Sequence, residues 1–138
     1  GSSLLKKYLK MAQNTPLIFL IEGELGAGKT VFVKGIGRVL GVKKMISPTF
    51  VIYYEYLVSK NEVRKLYHFD LYAIEDEEEF RYLNIYDVLR PKNIICIEWG
   101  EKSMALLDLF KKKGLIIYVH ITYKTATQRT IQSSIFNH

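Results

Sequence analysis

The chain holds one cysteine, three prolines and one tryptophan in 138 residues. The single cysteine, Cys96, excludes an internal disulfide, and no cysteine–histidine cluster reads as a zinc site. That usage fits a reducing cytoplasm, the expected location. No apolar run is long enough to cross a bilayer and no secretory leader is visible, so no membrane role is expected. There is no internal repeat and no low-complexity linker. Arginine is scarce as well, with five scattered among the twenty basic residues.

What is present has ordinary globular composition, 49% hydrophobic and 25% charged. The length suits one domain with a proper core. Gly1-Ser2-Ser3 reads as a cloning scar, which leaves 4–138 as a single domain. The formal net charge is +6, densest at Lys111-Lys112-Lys113, a triplet that reads as a solvated helix end. A basic face would also steer nucleotide or RNA toward the protein, but charge alone assigns no function.

One stretch carries specific chemistry: Gly23-Glu24-Leu25-Gly26-Ala27-Gly28-Lys29-Thr30. The spacing is that of a phosphate-binding loop, between an apolar run, Leu17 to Ile21, and a segment of helical character, Lys29 to Leu40. The glycines let backbone amides approach a ligand closely, and the amides converge on phosphate oxygens at a helix N-terminus, where the dipole also favours negative charge. Residues Glu24 to Thr30 therefore form the expected nucleotide cradle. Lys29 supplies a point charge for the β- and γ-phosphates, and the Thr30 hydroxyl is a magnesium ligand. A chance match is expected in roughly one chain of this length in a few hundred.

Leu4 to Met11 is expected as a short amphipathic helix, ended at Asn14-Thr15-Pro16. Leu17 to Ile21, apolar throughout, predicts a central strand buried on both faces. In the helix that follows, Gly35 and Gly37 suggest close packing on the sheet, and Gly41 a C-cap. Ser47-Pro48-Thr49 introduces a strand over Phe50 to Val58, which pairs as a hairpin with Val63 to Tyr72. The acidic run Glu75 to Glu79 starts one broken helix or two short ones before Pro91. A second fully apolar run, Ile94 to Ile97, is followed by a helix over 103–112 and strands over 115–123 and 129–136. Together these predict an α/β domain of the P-loop NTPase type, its mixed sheet carrying antiparallel hairpins.

A magnesium-holding phosphate loop normally has an acid at the end of a neighbouring buried strand. Glu98, closing the second apolar run, and Asp70, closing Leu66-Tyr67-His68-Phe69, both fit. Glu98 is the preferred metal-side carboxylate, with Asp70 its partner near the γ-phosphate. His68 reads as a packed or hydrogen-bonded strand residue rather than a general base. Trp99 reads as a core or interface aromatic.

These motifs, in this order, resemble the TsaE family, small P-loop ATPases of the bacterial system that makes threonylcarbamoyladenosine at position 37 of tRNAs. The resemblance runs from about Leu17 to Val119. It rests on the loop in the form GELGAGKT, Ser47-Pro48-Thr49-Phe50 followed by Glu55-Tyr56, Tyr67-His68-Phe69-Asp70-Leu71-Tyr72, and Ile97-Glu98-Trp99. It implies that Lys29 and Thr30 bind ATP and magnesium, that Glu98 is the magnesium-side acid and that Asp70 is essential for turnover. Ser47 to Phe50 would then be a switch segment sensing the γ-phosphate through Thr49. The implied partners are the TsaD and TsaB proteins, which ATP hydrolysis would reset between turnovers; direct tRNA contact stays open.

The chain departs from the family pattern at Ala73, where arginine is usual, and at Gly100 and Lys102, where proline and arginine usually flank the position of Glu101. Arg129 matches the family's C-terminal arginine only loosely, so no catalytic arginine is assigned. Three other functions compete with this one. A small-molecule kinase needs an acceptor pocket and usually an arginine-bearing lid. A GTPase needs an Asn-Lys-x-Asp tetrapeptide, which the sequence lacks. A nucleotide-gated binding module, with turnover incidental, overlaps the family role and remains open.

Overall fold

The structure, a computed structural model, describes residues 2–23, 27–42, 44–50, 53–58, 60, 62–71, 84–98, 104–123, 125 and 128–135. Its centre is a mixed seven-stranded sheet in the order β2-β3-β4-β5-β1-β6-β7. The strands are β1 (Leu17–Gly23), β2 (Lys44–Phe50), β3 (Tyr53–Leu57), β4 (Lys65–Asp70), β5 (Ile94–Glu98), β6 (Leu115–Tyr123) and β7 (Arg129–Ile135). The helices are α1 (Ser2–Met11), α2 (Ala27–Val39), α3 (Ile85–Val88) and α4 (Met104–Lys113). Helix α1 thus begins two residues before the amphipathic pattern does.

Strands β4, β5, β1 and β6 run parallel, and antiparallel pairs sit at both margins. The two unbroken apolar runs lie at the middle, β5 against β1, since only a strand covered on both faces is apolar at every position. Period-2 alternation sorts the rest into two layers. Phe19, Ile21, Leu66, Cys96, Ile117 and Val119 form one core with Leu5 and Tyr8 of α1, Val33 and Ile36 of α2, and Leu40 just beyond it. On the other face Leu20, Tyr67, Phe69, Ile95 and Ile97 pack with Val88 of α3 and Leu106 and Phe110 of α4.

The expected hairpin exists as β3–β4, but the segment before it differs from expectation. Residues 44–50 are a strand of their own, and Phe50 closes β2 rather than opening a single strand to Val58. Pro48 stands within this strand although it has no amide to donate. It is tolerated because β2 is an edge strand whose register shifts between Ile46 and Phe50. Of the expected acidic helical region, residues 75–83 lie outside the described residues; α3 is the remaining piece, with Asn84 as its N-cap.

Helix α2 stops as expected at Gly41, whose φ is +63°. Val42 N–H donates to Gly37 O at 3.0 Å and Gly41 N–H to Arg38 O at 3.2 Å, the paired bonds of a Schellman cap. The close-packing expectation holds for Gly37, where an added Cβ would meet Val42 Cγ2 at 3.4 Å and Leu66 Cδ2 at 3.7 Å. It fails for Gly35, where an added Cβ would meet nothing within 4 Å. The two glycines lie two residues apart and so on different sides of a 3.6-residue helix.

Candidate functional site

Four parallel strands share a direction, so their C-terminal ends share one edge of the sheet, where open α/β sheets place ligands. β1 leads to that edge and hands the chain to α2 through the glycine-rich stretch. Gly23 ends β1 with φ +151°, and an added Cβ would sit 2.3 Å from the carbonyl oxygen of Ile121, its register partner on β6. The first glycine of the motif is therefore demanded by the neighbouring strand. Glu24, Leu25 and Gly26 lie outside the described residues. Ala27, Gly28, Lys29 and Thr30 form the backbone of the first turn of α2, whose amides have no intrahelical acceptor. Phe32 is set edge-on to Phe19 of β1 at 5.8 Å, anchoring that turn over the strand.

The two acids reach the same edge. Asp70 is in register with Glu98, and Glu98 with Ile21 of β1. Each step across the sheet is about 4.8 Å, so Glu98 stands one strand from Asp70 and one from the strand feeding the loop. In-register residues share a face, and Ile21 packs in the α2-side core, so both acids lie on the face that α2 covers. Asp70 is exposed, whereas Glu98 is only 5% exposed. Residue types at strand ends suggested this pair, and the register brings it together.

Thr49 is placed differently. Its backbone lies in β2, three strands from β5, a separation on the order of 14 Å. In this arrangement the expected switch segment is an edge strand, two strands from Asp70 and three from Glu98. Ala73, Trp99, Gly100 and Lys102 lie outside the described residues.

His68 is a hydrogen-bonded strand residue, as expected, and its partner is the buried acid. His68, one alternation before Asp70, places Nε2 2.5 Å from Glu98 Oε2, with the two side chains 13% and 7% exposed. Its ring lies 6.4 Å from that of Tyr54 on β3. The signal was available in the spacing, because His68, Asp70 and Glu98 share a parity on adjacent strands. The strand order that makes the two strands neighbours was not.

Glu55, part of the family-like Glu55-Tyr56 pair, belongs elsewhere. It faces Tyr67 across the β3–β4 ladder and accepts from the Tyr67 hydroxyl at 2.8 Å and from Lys65 Nζ at 2.8 Å. Burial works to raise its carboxyl, but those hydrogen bonds and the Lys65 charge outweigh it and hold the group below the ordinary value. Burial, then the bond to Glu55, pushes the Tyr67 hydroxyl well above its own. Cys96 is wholly buried, and burial and then the charge of Glu98 push its thiol up, which removes it from nucleophilic chemistry.

A cavity of about 570 Å³ opens at the opposite edge, among Lys6, Lys10, Glu62, Lys92 and Asn93. It is lined at Leu17 and Val63 by the N-terminal side of the parallel strands, and none of the described residues of 23–30 lines it. Chemistry outweighs cavity size here, and the candidate site is the acidic edge. The lysines closing α4 sit in its last turn, where positive charge suits the helix dipole, and Lys111 Nζ lies 5.9 Å over the Tyr118 ring. Among the described residues no helix is long and apolar enough to cross a membrane.

A family model described as threonylcarbamoyl adenosine biosynthesis protein TsaE matches residues 2–131. The chain is 32% identical to the tRNA threonylcarbamoyladenosine biosynthesis protein TsaE of Haemophilus influenzae, over 78% of this chain and 66% of that protein. It is 43% identical to the protein of that name from Synechocystis over 70% and 64%, and 35% identical to the one from Nostoc over 87% and 71%. In the first two the match spans just under two thirds of the relative's length. A crystal structure of Bacillus subtilis YdiB superposes with a TM-score of 0.55 at 23% identity, over 94% of this chain and 74% of that one, a likeness of fold. With a family model spanning nearly the whole chain and relatives above 30% identity, the chain belongs to the TsaE family.

Proposed function

We propose that this chain binds magnesium–ATP at the C-terminal edge of its parallel strands and hydrolyses it slowly, as a component of the machinery that makes threonylcarbamoyladenosine in tRNA. The relatives bear names from that biosynthesis, and the motif at residues 23–30 is of the phosphate-binding kind. The observation that carries the reading is the buried carboxylate of Glu98, one strand from both β1 and Asp70. His68 meets one oxygen of that carboxylate, and the acid stands where a cation held by the loop would take a carboxylate ligand.

In this reading the amides of the loop and of the first turn of α2 hold the phosphates, and Lys29 adds charge at the β–γ bridge. Thr30 and Glu98 would hold magnesium. Their hard oxygen donors fit an ion that takes one or two carboxylates and keeps most of its waters. Bound there, the ion would offset charge developing on the β- and γ-phosphoryl oxygens. Asp70, exposed beside Glu98, would orient the attacking water. With no arginine assigned to the site, a stabilising charge worth roughly 10³-fold or more would arrive in trans from a partner. The proposed partners are the TsaD and TsaB proteins, reset by hydrolysis between turnovers, and the proposed setting is the cytoplasm. Thr49 would sense the γ-phosphate only if residues 44–50 leave the edge of the sheet, a movement of the order–disorder kind.

The test is Lys29→Ala in a reconstituted tRNA modification assay with both partner proteins, with phosphate release measured in parallel. Loss of repeated turnover with an unchanged thermal melt is expected. Nucleotide binding without hydrolysis in any mixture favours a nucleotide-gated module, and transfer of phosphate to a small acceptor a kinase. Undiminished multiple turnover ends the ATPase reading.

A further inference from the structure

We propose that His68 is a positioning residue for the metal-side carboxylate, fixing one oxygen of Glu98 so that the other is presented to the cation. The inference deepens the reading above and rests on it. Its basis is the 2.5 Å contact between His68 Nε2 and Glu98 Oε2, made by two side chains 13% and 7% exposed.

A glutamate side chain has three rotatable bonds, and at a strand end it has several staggered positions to choose from. A carboxylate that ligates a cation is ionised and only accepts hydrogen bonds, so in that role it takes its bond from His68 Nε2–H. The bond occupies Oε2 alone. Magnesium takes a carboxylate through one oxygen in a near-ideal octahedron, and a carboxylate turned toward its neighbour by a fixed donor meets that demand without searching. The histidine is itself held, since it projects from a strand paired on both sides and stands beside the Tyr54 ring. Asp70, two residues on along the same strand, remains exposed at the edge. His68 and Asp70 therefore divide the work, one aiming the buried acid and the other facing the reacting end of the nucleotide. With Nε2 spent on Glu98, His68 is not placed to take a proton from water through that nitrogen.

The experiment measures binding of ADP and of a non-hydrolysable ATP analogue by calorimetry, across a magnesium titration and in EDTA. The variants are His68→Ala, His68→Gln, Glu98→Gln and the double variant His68→Ala/Glu98→Gln. Outer partners of metal ligands typically contribute 10–100-fold to metal affinity. His68→Ala is expected to raise the magnesium concentration for half-maximal binding about tenfold while leaving affinity in EDTA unchanged. His68→Gln, which keeps a donor at similar reach, restores most of that shift. In the double variant, loss of His68 adds little to the loss of Glu98. Should the alanine variant fail to fold, His68→Phe removes the donor while keeping the ring volume. The proposal is overturned if loss of the donor leaves the magnesium titration unmoved, lowers affinity equally in EDTA, or acts in full on top of Glu98→Gln. The underlying reading fails separately: a Glu98→Gln variant with an unaltered magnesium requirement removes the metal-side assignment and this inference with it. A shifted Glu98→Gln beside a silent His68→Ala removes only the inference.

Discussion

Replacing Gly23 by alanine should damage the fold before it touches any nucleotide. The residue ends β1 at φ +151°, a conformation that side chains with a Cβ rarely adopt, and holding alanine there costs roughly 1–3 kcal/mol. The new Cβ would also lie 2.3 Å from the Ile121 carbonyl oxygen, where real Cβ contacts essentially never fall below 3.0 Å. Because that oxygen is backbone of β6, the two strands must part by about 0.7 Å, the difference between those distances. Straining a buried ladder there adds about 0.5–1.5 kcal/mol. The sum, about 1.5–4.5 kcal/mol, corresponds to a fall in Tm on the order of 10 °C for a chain of this size. Urea unfolding of the nucleotide-free protein is the assay, with the midpoint expected to fall at an unchanged slope. Nucleotide affinity should fall as well, because the shifted strand end carries the loop with it. If Gly23→Ala instead unfolds within about 0.5 kcal/mol of the parent, the close approach of β1 and β6 is not what requires glycine, and the reasoning fails.

The opposite sign is expected at Gly35, which faces open space within α2: Gly35→Ala should stabilise by about 0.5–1 kcal/mol through helix propensity, read as a rise of a few degrees in Tm, and a loss of stability would show that the position is packed. For Tyr67, whose hydroxyl is raised from its ordinary value of 10.0, the folded and unfolded chains both keep the proton below about pH 10. Above that the unfolded chain ionises first, so this stabilisation is complete at lower pH and is lost as pH rises toward the folded value. Guanidinium unfolding at a series of pH values above 9.5 should therefore show a decline that Tyr67→Phe makes shallower by up to about 1.4 kcal/mol per pH unit; an equal slope in both proteins would count against the buried Tyr67–Glu55 bond.

The passage from β1 to α2 was legible because it is local: an unbroken apolar run, a glycine-rich stretch and a helix signal follow one another within about twenty-five residues. The second apolar run announced its closing acid, Glu98, for the same reason. Strand β2 was not legible, because Pro48 carries a local signal against a strand that only an edge position and a register shift override. Gly35 and Gly37 looked alike in the sequence, and only the packing of α2 on Leu66 separates them.

By itself, then, the amino-acid order determined an α/β domain, a glycine-rich link from a central strand to a helix and two acids at strand ends, since periodicity and turn chemistry act over a few residues. Which strands are neighbours was decided by tertiary structure. Insertion of β5 between β4 and β1 sets Asp70 and Glu98 side by side and turns His68 toward Glu98. Pairing of β1 with β6 makes Gly23 obligatory. The same strand order leaves Thr49 three strands from β5. Those relations depend on hydrogen-bonded partners distant in the chain, which no local pattern specifies.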